Sequence, residues 1–475
     1  MTPFSKTKIV ATVGPRSESK EMLTQLVHAG VNVFRLNFSH GTHEKHAAVI
    51  ENIVQINQEL GTNIGILADL QGPKIRIGEV ENNEIILVNG QSIRITTKEQ
   101  VSTPELLYIS YESLALDVEP GDRILIDDGK LGLVVKTTNK ADEITAEVIY
   151  GGILTARKGV NLPDTTVTAP SLMPKDHRDL EFIFTMPVNW IALSFVRTAE
   201  EINKLKGVLE FRNHPAKVIA KIEKPDAYKN LDEIIRVSDG IMVARGDLGV
   251  ELPLEDIPFV QKDIVTRCIK AHIPVIIATQ MMESMVTNAI PTRAEITDIT
   301  NAMFDGADAL MLSAETASGK YPVKVIETLK KVINKVEQED KIYNMGIEPD
   351  KDSHTFLSDA VCFTACRMAK YVNATSIIAL TRSGYTAFSL ASFRPVSNIF
   401  VFTENANLLN AVSLVWGTRA YLYNRSNSTE DTVRHIQNIL KDKGMIQKGE
   451  IVINTGSTPF NELGNTNTIK VSVIH

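Results

Sequence analysis

Eight short apolar runs, separated by longer amphipathic stretches, limit the possible folds of this chain more than any other sequence feature. The runs lie at residues 8–14, 31–38, 64–70, 190–196, 217–223, 240–246, 274–280 and 307–315. Each is apolar on both faces, as expected for parallel strands that helices cover on both sides. Stretches between them, such as 198–212, 231–238 and 254–271, have helical periodicity. Eight strand–helix units favour a (β/α)8 TIM barrel, although periodicity alone leaves an open parallel sheet as an alternative.

Two regions depart from this pattern and predict further domains. Residues 73–171 alternate with a period of two and carry two hairpin signals, which turn at Asn89-Gly90 and Asp128-Gly129. So long a barrel loop has to fold on its own, so we expect an inserted all-β lid domain. Strand and helix patterns alternate again after a polar segment at 341–352, which predicts a C-terminal α/β domain. The predicted limits are 1–72 and 172–340 for the barrel, 73–171 for the β-barrel lid and 341–475 for the third domain.

Composition and charge exclude several classes of protein. The 475 residues are 43% hydrophobic and 23% charged, which is ordinary globular usage and predicts two to four domains. A net charge of −7 does not give the excess of positive charge that is typical of proteins that bind nucleic acid or anionic lipid. No run approaches the roughly 18 apolar residues of a membrane-spanning helix. The three cysteines form neither a disulfide framework nor a zinc spacing, so we expect a cytoplasmic protein with no nucleic-acid or membrane partner.

Charged and polar side chains follow the predicted strands at their C-terminal ends. A single such residue could simply mark the point where a strand reaches solvent. A barrel, however, gathers these ends at one mouth, where barrel enzymes have their active sites. Several charged residues directly after Val/Ile/Ala runs therefore predict an active site, and they include Arg35, Asn37, Asp69, Lys221, Glu223, Asp247, Thr279 and Ser313.

Two carboxylates among these residues suggest a metal site. Strand alternation points Lys221 and Glu223 to the same side. The two could form a structural ion pair, or Glu223 could hold Mg²⁺ while Lys221 faces charge that develops in a transition state. Asp247 adds a second acid one strand later, and a few acids with positions left open to water suit Mg²⁺. The backbone N–H groups around Gly246 and Asp247 favour an anion.

Seven motifs in register resemble the pyruvate kinase family, in its bacterial form. The resemblance covers essentially the full length, including the inserted domain and the C-terminal domain. It implies transfer of the phosphoryl group of phosphoenolpyruvate to ADP, giving pyruvate and ATP, with Mg²⁺ or Mn²⁺ as cofactor. The motifs are TKIVATVGP, NVFRLNFSHG, GPKIRIG, AKIEKP, MVARGDLGVE, ATQMMESM and LSAETASGKYP.

The resemblance also implies roles for single residues. Arg35 and Arg76 resemble the residues that bind the transferring phosphoryl group, and Lys221 resembles the lysine that stabilises the phosphoryl group and the enolate. Glu223 and Asp247 resemble the Mg²⁺ ligands. Substrate contacts are implied for Arg35, Lys221, Gly246, Asp247 and Thr279, and nucleotide contacts for Asn37, Ser39, His40, Arg76 and Lys175.

One departure from the family pattern concerns a monovalent cation. Many members need K⁺, and the matching positions here are Asn37, Ser39, Asp69 and the carbonyl of Leu70. Those members carry Glu where this chain has Lys74, whose ammonium could supply the charge that K⁺ supplies elsewhere. Alternatively, Lys74 points to solvent and K⁺ still binds. The combination of Leu70, Gln71 and Lys74 resembles potassium-independent members, so we expect the shape of the K⁺ site to remain and K⁺ not to be required.

A second candidate site lies in the C-terminal domain, after the predicted strand at 376–380. Thr381, Arg382, Ser383, Gly384 and Thr386 could form a phosphate nest at the start of a helix, or an ordinary polar turn. The resemblance implies a regulatory and oligomerisation role for this domain. A phosphorylated effector, such as a sugar phosphate or AMP, would act there across a homotetramer.

Two rival functions fit part of these observations. Another Mg²⁺-dependent barrel enzyme acting on phosphoenolpyruvate or an oxo-acid, such as a lyase or mutase, would explain the two acids but not the lid and the nucleotide contacts. A non-catalytic metabolite sensor would have an eroded site, whereas Lys221, Glu223 and Asp247 are all present.

Overall fold

The first part of the chain forms three parallel strands with helices between them. The computed structural model describes residues 5–424, 428–457 and 465–475, so residues 1–4, 425–427 and 458–464 of the predicted domains lie outside it. The elements are β1 (Lys8–Thr12), α1 (Lys20–Ala29), β2 (Val33–Asn37), α2 (His43–Leu60) and β3 (Gly65–Asp69). Ser19 and Thr42 cap the two helices by accepting N–H groups of the first turn.

The inserted segment consists of β-strands with one short helix, as the all-β prediction expected, but its strands form two separate sheets and not the single closed β-barrel that was predicted. Its elements are β4 (Glu84–Leu87), β5 (Ser92–Thr96), β6 (Leu106–Tyr108), α3 (Leu114–Asp117), β7 (Arg123–Ile126), β8 (Leu131–Thr138), β9 (Glu143–Tyr150), β10 (Gly152–Thr155) and β11 (Val160–Asn161). Six strands form one sheet in the order β11-β7-β8-β9-β5-β6, and β10 pairs with β4. Alternate side chains of these strands form a hydrophobic core separate from that of the barrel.

One of the two predicted hairpins is wrong. The Asp128-Gly129 turn does join the antiparallel pair β7 and β8. The chain also turns at Asn89-Gly90, but β4 and β5 then enter different sheets. The turn bonds to the β9–β10 segment instead, because the Gly90 N–H donates to Val148 O and the Asn89 side chain accepts the Gly151 N–H. The Asn-Gly pair correctly predicted a turn. The partner of each strand, however, is determined by contacts between residues far apart in sequence.

The second part of the barrel continues with five strands and their helices. The elements are α4 (Pro174–Ile183), β12 (Trp190–Leu193), α5 (Ala199–Phe211), β13 (Lys217–Ile222), α6 (Pro225–Lys229), α7 (Leu231–Val237), β14 (Gly240–Ala244), α8 (Arg245–Glu251), α9 (Ile257–Lys270), β15 (Val275–Ala278), α10 (Arg293–Asp305), β16 (Ala309–Leu312), α11 (Ala314–Ala317) and α12 (Pro322–Val336). The eight parallel strands close in the order β1-β16-β15-β14-β13-β12-β3-β2. This closure confirms the predicted TIM barrel and excludes the alternative of an open parallel sheet.

The C-terminal part is an α/β unit, which confirms that prediction. It consists of α13 (Phe356–Tyr371), β17 (Ser376–Leu380), α14 (Tyr385–Ser392), β18 (Asn398–Thr403), α15 (Ala406–Ala411), β19 (Thr418–Leu422), α16 (Thr429–Asp442), β20 (Ile451–Gly456) and β21 (Thr468–Val473). The sheet order is β19-β18-β17-β20-β21, with β21 antiparallel to β20. The residue limits given above for the three domains stay predictions.

The C-terminal unit is fixed to the barrel by a buried ion pair. Arg394 contacts both carboxylate oxygens of Asp308 at 3.1 Å and donates to Gly306 O. Only 1% of Arg394 is exposed. No helix in the described parts of the chain is long and apolar enough to cross a membrane.

Candidate active site

Lys221 lies at the centre of the barrel mouth. It projects from the end of β13, and its Nζ is 2.8 Å from Glu223 Oε1 and 3.3 Å from Asp69 Oδ1. It also donates to Ser194 Oγ at 2.7 Å. Burial would lower the pKa of Lys221, but the charges of Asp69 and Glu223 outweigh burial and raise it above its ordinary value. The ammonium group is therefore a fixed positive charge at neutral pH.

Arg35 is held beside this lysine by the same acid. Its Nε donates to Asp69 Oδ2 at 2.7 Å, and its Nη1 donates to Thr12 Oγ1 at 3.0 Å. Burial would raise the pKa of Asp69, yet the charges of Lys221 and Arg35 lower it below its ordinary value. The buried Asp69 carboxylate therefore positions two cations at the mouth.

Glu223 and Asp247 are the two acids that the sequence assigns to Mg²⁺. Glu223 is 1% exposed, and its Oε2 accepts the Phe195 N–H at 2.7 Å. Burial raises the pKa of Glu223, and the charge of Asp247 adds to this while Lys221 opposes it. A divalent cation would relieve the repulsion between the two carboxylates, and oxygen donors of this kind suit Mg²⁺. Asp247 also lines an open cleft between the lid and the barrel. No group of three or more His, Cys, Asp or Glu with metal-binding geometry occurs within the described ranges.

The end of β15 has strained backbone at the predicted substrate site. Thr279 has a φ of 68° and Gln280 a φ of 58°. Left-handed backbone is rare for a β-branched residue and is found mainly where surrounding contacts impose it. Arg245 donates to Thr279 O at 2.8 Å, and the Gly246 N–H donates to Thr279 Oγ1 at 2.8 Å. The Gly246 donor expected to face a substrate carboxylate is thus bonded to Thr279 in this structure.

A group of cations lies around His40. Burial lowers the pKa of His40, and the positive charges of Lys74, Arg76, Arg35 and Lys175 lower it further. These four side chains come from three separate segments of the chain, at Arg35, at Lys74 and Arg76, and at Lys175. Their combined field makes one side of the mouth positive, which suits a polyphosphate.

The other expected nucleotide residues have local partners. Lys175 Nζ donates to Phe38 O at 2.5 Å and pairs with Asp179 at 2.6 Å. Asn37 Oδ1 accepts the Ser39 N–H at 3.1 Å. Lys175 does not line the cleft between lid and barrel, whereas Arg76 does.

Sequence reasoning missed several residues of that cleft. It is a cavity of about 220 Å³ between the lid and the barrel. Lys158 lines it from the lid, with Nζ 2.9 Å from Asp127 Oδ1. The Arg157-Lys158-Gly159 run at the end of the insertion was the available signal. Ser194 was also missed; it does not line this cavity, but it accepts from Lys221 and donates to Leu70 O at 2.8 Å. Other lining residues are Pro73, Lys74, Asp128, Asn161, Phe195, Arg197 and Lys224.

The positions matched to a K⁺ site lie together. Asn37 and Asp69 are directly opposite on β2 and β3, and Leu70 follows Asp69. Lys74 lies in the cleft lining. Burial and the charge of Arg76 lower the pKa of Lys74, and the carboxylates of Asp247 and Glu223 oppose this. The ammonium is therefore within electrostatic range of both acids.

The candidate effector residues form the turn between β17 and α14. The Gly384 N–H donates to Thr381 Oγ1 at 3.0 Å, with Gly384 at a φ of 93°. Arg382 pairs with Glu404. Thr386 is buried and bonded to Thr466 at 2.7 Å, so its hydroxyl faces the protein interior.

Comparisons with known proteins agree with this architecture. A family model for the pyruvate kinase barrel domain matches residues 4–326, and one for the pyruvate kinase alpha/beta domain matches residues 359–472. Pyruvate kinase 2 of Synechocystis is 42% identical over 99% of this chain and 79% of its own length. The Geobacillus stearothermophilus pyruvate kinase is 40% identical over 99% of this chain and 80% of its own.

A solved structure gives the same result. The crystal structure of a pyruvate kinase from Cryptosporidium parvum superposes with a TM-score of 0.92 at 32% identity. It covers 99% of this chain and 96% of its own. Because family models match most of the chain and relatives near 40% identity span almost all of it, this chain belongs to the pyruvate kinase family.

Proposed function

We propose that this phosphotransferase moves the phosphoryl group of phosphoenolpyruvate to ADP at the barrel mouth around Lys221, giving pyruvate and ATP. The observation that carries the proposal is the placement of Lys221 between Asp69 and Glu223, beside Arg35. The family relationship supports it against the lyase, mutase and sensor alternatives.

The cations would act on charge that moves during the transfer. The bond between phosphorus and the enol oxygen breaks, its electron pair stays on that oxygen, and a bond forms to a β-phosphate oxygen of ADP. Phosphoryl transfer asks the protein mainly for positioning and charge neutralisation. Arg35 and Arg76 bind the phosphoryl oxygens, and Lys221 stabilises the enolate oxygen. Protonation of the enolate carbon then gives pyruvate.

Glu223 and Asp247 would hold Mg²⁺ or Mn²⁺. When bound, the metal supplies positive charge that neutralises phosphoryl and carboxylate oxygens. The chain's own contribution is to hold Glu223 rigid through Lys221 and the Phe195 N–H. Asp247 is carried on α8, next to Gly246 and Thr279, where the substrate carboxylate would bind.

The lid would close over the nucleotide. Arg76, near the start of the insertion, and Lys158, near its end, both line the cavity. We assign both to the nucleotide phosphates, together with Asn37, Ser39 and His40. Lys175 would attract the nucleotide phosphates through its positive charge, which also acts on His40, without lining the cavity. Closure excludes water, which would otherwise accept the phosphoryl group.

Three finer properties belong to the same proposal. K⁺ is not required, because Lys74 supplies a positive charge close to Asp247 and Glu223. A phosphorylated effector binds at Thr381, Arg382, Ser383 and Gly384. Thr386 contributes through its buried contact with Thr466. The chain works as a homotetramer in the cytoplasm.

A coupled assay tests the activity. Pyruvate should form only when phosphoenolpyruvate, ADP and a divalent metal are all present, with one ATP produced per pyruvate. Pyruvate or another product that forms at the same rate without ADP would favour a lyase or mutase. No turnover with any of these substrates would favour a sensor.

A further inference from the structure

A buried glutamate joins the lid to the helix that carries Asp247. Glu251 is the last residue of α8 and is 5% exposed. Its Oε1 accepts the Asn161 side-chain N–H at 2.9 Å, and Asn161 is the last residue of lid strand β11. The same oxygen is 2.5 Å from Lys224 Nζ. One carboxylate oxygen therefore contacts both the lid and the barrel.

The neighbours of Glu251 in sequence lie at the metal site. Lys224 directly follows Glu223, and α8 has Asp247 in its first turn. Both predicted metal ligands are thus one short segment away from the Glu251 contact. The β7–β8 turn of the lid also lies beside α8, since a Cβ placed on Gly129 would be 3.8 Å from Val250 Cγ1.

The arrangement is electrostatically suited to a contact that opens and closes. Lys224 and Glu251 both belong to the barrel, so their ion pair would not have to break if the lid moved away, and opening would not leave a buried charge without a partner. Of the two contacts that Glu251 Oε1 makes, only the hydrogen bond from Asn161 would be exchanged for water. Glu251 Oε2 is buried and has no hydrogen-bond partner among the described residues, so it can accept one more donor.

We propose that Asn161, Glu251 and Lys224 form a latch that holds the lid on the barrel and couples lid closure to the placement of α8 and Asp247. The proposal deepens the assigned reaction and rests on the proposed function for its meaning in catalysis. Asn161 and Glu251 are positioning residues in it, because they act through the lid and α8.

The first test measures the lid directly. The three native cysteines are all buried, so spin labels can be attached selectively to Val101→Cys on the lid and Phe211→Cys on the barrel, both of which are exposed. Electron–electron double resonance then gives the label distance with and without Mg²⁺-ADP. We expect Asn161→Ala to shift the distribution towards distances that the parent shows without nucleotide. The matched control is Asn139→Ala, whose side chain bonds only within the lid, and it should behave as the parent.

The second test measures coupling to the metal site. A hydrogen bond to a charged group predicts about a tenfold rise in the KM for ADP in Asn161→Ala. We expect the half-saturating Mg²⁺ concentration to rise with it, by about threefold or more. Glu251→Gln keeps an oxygen that can accept from Asn161 but removes the negative charge. Asn161→Ala should therefore raise the half-saturating Mg²⁺ concentration less in the Glu251→Gln variant than in the parent.

Two results would overturn the latch. One is a label distribution in Asn161→Ala that equals the parent's under both conditions. The other is strict additivity of Asn161→Ala and Glu251→Gln in the Mg²⁺ titration. Because the label distances need no turnover, they report on the latch even if the assigned reaction is wrong.

Discussion

At the scale of single residues, the mouth of the barrel is organised by buried acids rather than by its cations. Asp69 is 1% exposed and contacts both Arg35 and Lys221. Glu223 is equally buried and contacts Lys221 as well. Removing Asp69 would leave the buried Arg35 without its carboxylate partner, which is costly, whereas Lys221 contacts both acids. The two acids differ in their neighbours, however, because Glu223 is subject to the charge of Asp247, with which we propose that it shares a metal.

The metal assignment predicts a specific change in Mg²⁺ dependence. Glu223→Gln and Asp247→Asn should each raise the half-saturating Mg²⁺ concentration by at least about tenfold, since each loses a charged oxygen ligand. Steady-state assays across a Mg²⁺ series would measure this. Asp239→Asn is a suitable control, because Asp239 lies before β14, at the opposite end of the barrel. Unchanged Mg²⁺ dependence in both site variants would remove the assignment.

The role of Lys74 predicts the response to K⁺. In tetramethylammonium buffer free of K⁺ and NH₄⁺, the enzyme should keep nearly full activity. Lys74→Glu should create a K⁺ requirement, because it replaces a positive charge near Asp247 and Glu223 by a negative one. Lys74→Arg, which keeps the charge, should stay independent of K⁺. A wild-type enzyme that is almost silent until K⁺ is added would contradict the proposal.

At the scale of elements, α14 connects the candidate effector turn to the barrel. Tyr385, at its start, donates to Asp359 Oδ1 at 2.5 Å. His272, which follows α9 of the barrel, lies 3.3 Å from the same oxygen, and its other ring nitrogen contacts Ser392 at the end of α14. Both ends of this helix therefore contact a network that reaches the barrel.

The effector assignment makes a binding prediction at this element. Isothermal titration with fructose 1,6-bisphosphate, ribose 5-phosphate and AMP should show binding of at least one ligand. Ser383→Asp should weaken it strongly, because a carboxylate at the turn repels phosphate. Ser383→Ala is the matched control for the loss of the hydroxyl group alone. Binding that Ser383→Asp leaves intact would place the effector elsewhere.

Asp359 predicts how the stability of this contact depends on pH. Burial would raise the pKa of Asp359, but hydrogen bonds from His272, Tyr385 and Thr355 outweigh it and lower the pKa to about 2. A lowered pKa stabilises the fold above the unfolded-state value of about 3.9, and this stabilisation is lost as the pH falls towards 2. The melting temperature of Asp359→Asn should thus lie below that of wild type at pH 6, and the difference should shrink between pH 4 and pH 3. A difference that stays constant over this range would show that the charge of Asp359 does not matter.

Element positions were predictable where the signal was local. All eight barrel runs became strands, because continuous apolar runs of this length suit only buried parallel strands between helices. The pairing of β4 with β10 was not predictable, since it depends on residues far apart in sequence. At the site, residues at strand ends were found, because the barrel brings them together. Ser194, which directly follows β12 and accepts from Lys221, is an exception that was missed. Lys158 was missed because its place in the cleft depends on how the lid folds.

At the scale of the whole molecule, three units converge on one reaction. The barrel supplies Lys221 and the two acids, the lid supplies Lys158, and the C-terminal unit contacts the barrel at the face opposite the mouth through Arg394 and Asp308. The latch and the α14 network give each outer unit a physical connection to the barrel. All three units serve a reaction in which we propose that Lys221 acts on charge that develops during the transfer.

The most direct test of that claim separates turnover from binding in Lys221→Met. This variant keeps an unbranched side chain, shorter by one heavy atom, and removes its charge. We expect kcat to fall by about a hundredfold or more, which is typical for the loss of one group that donates to the transition state. The binding of phosphoenolpyruvate should be weakened much less. Turnover would be measured by pyruvate formation, binding by equilibrium titration with Mg²⁺, and folding by the melting temperature. A folded Lys221→Met enzyme with near-normal kcat would contradict the account.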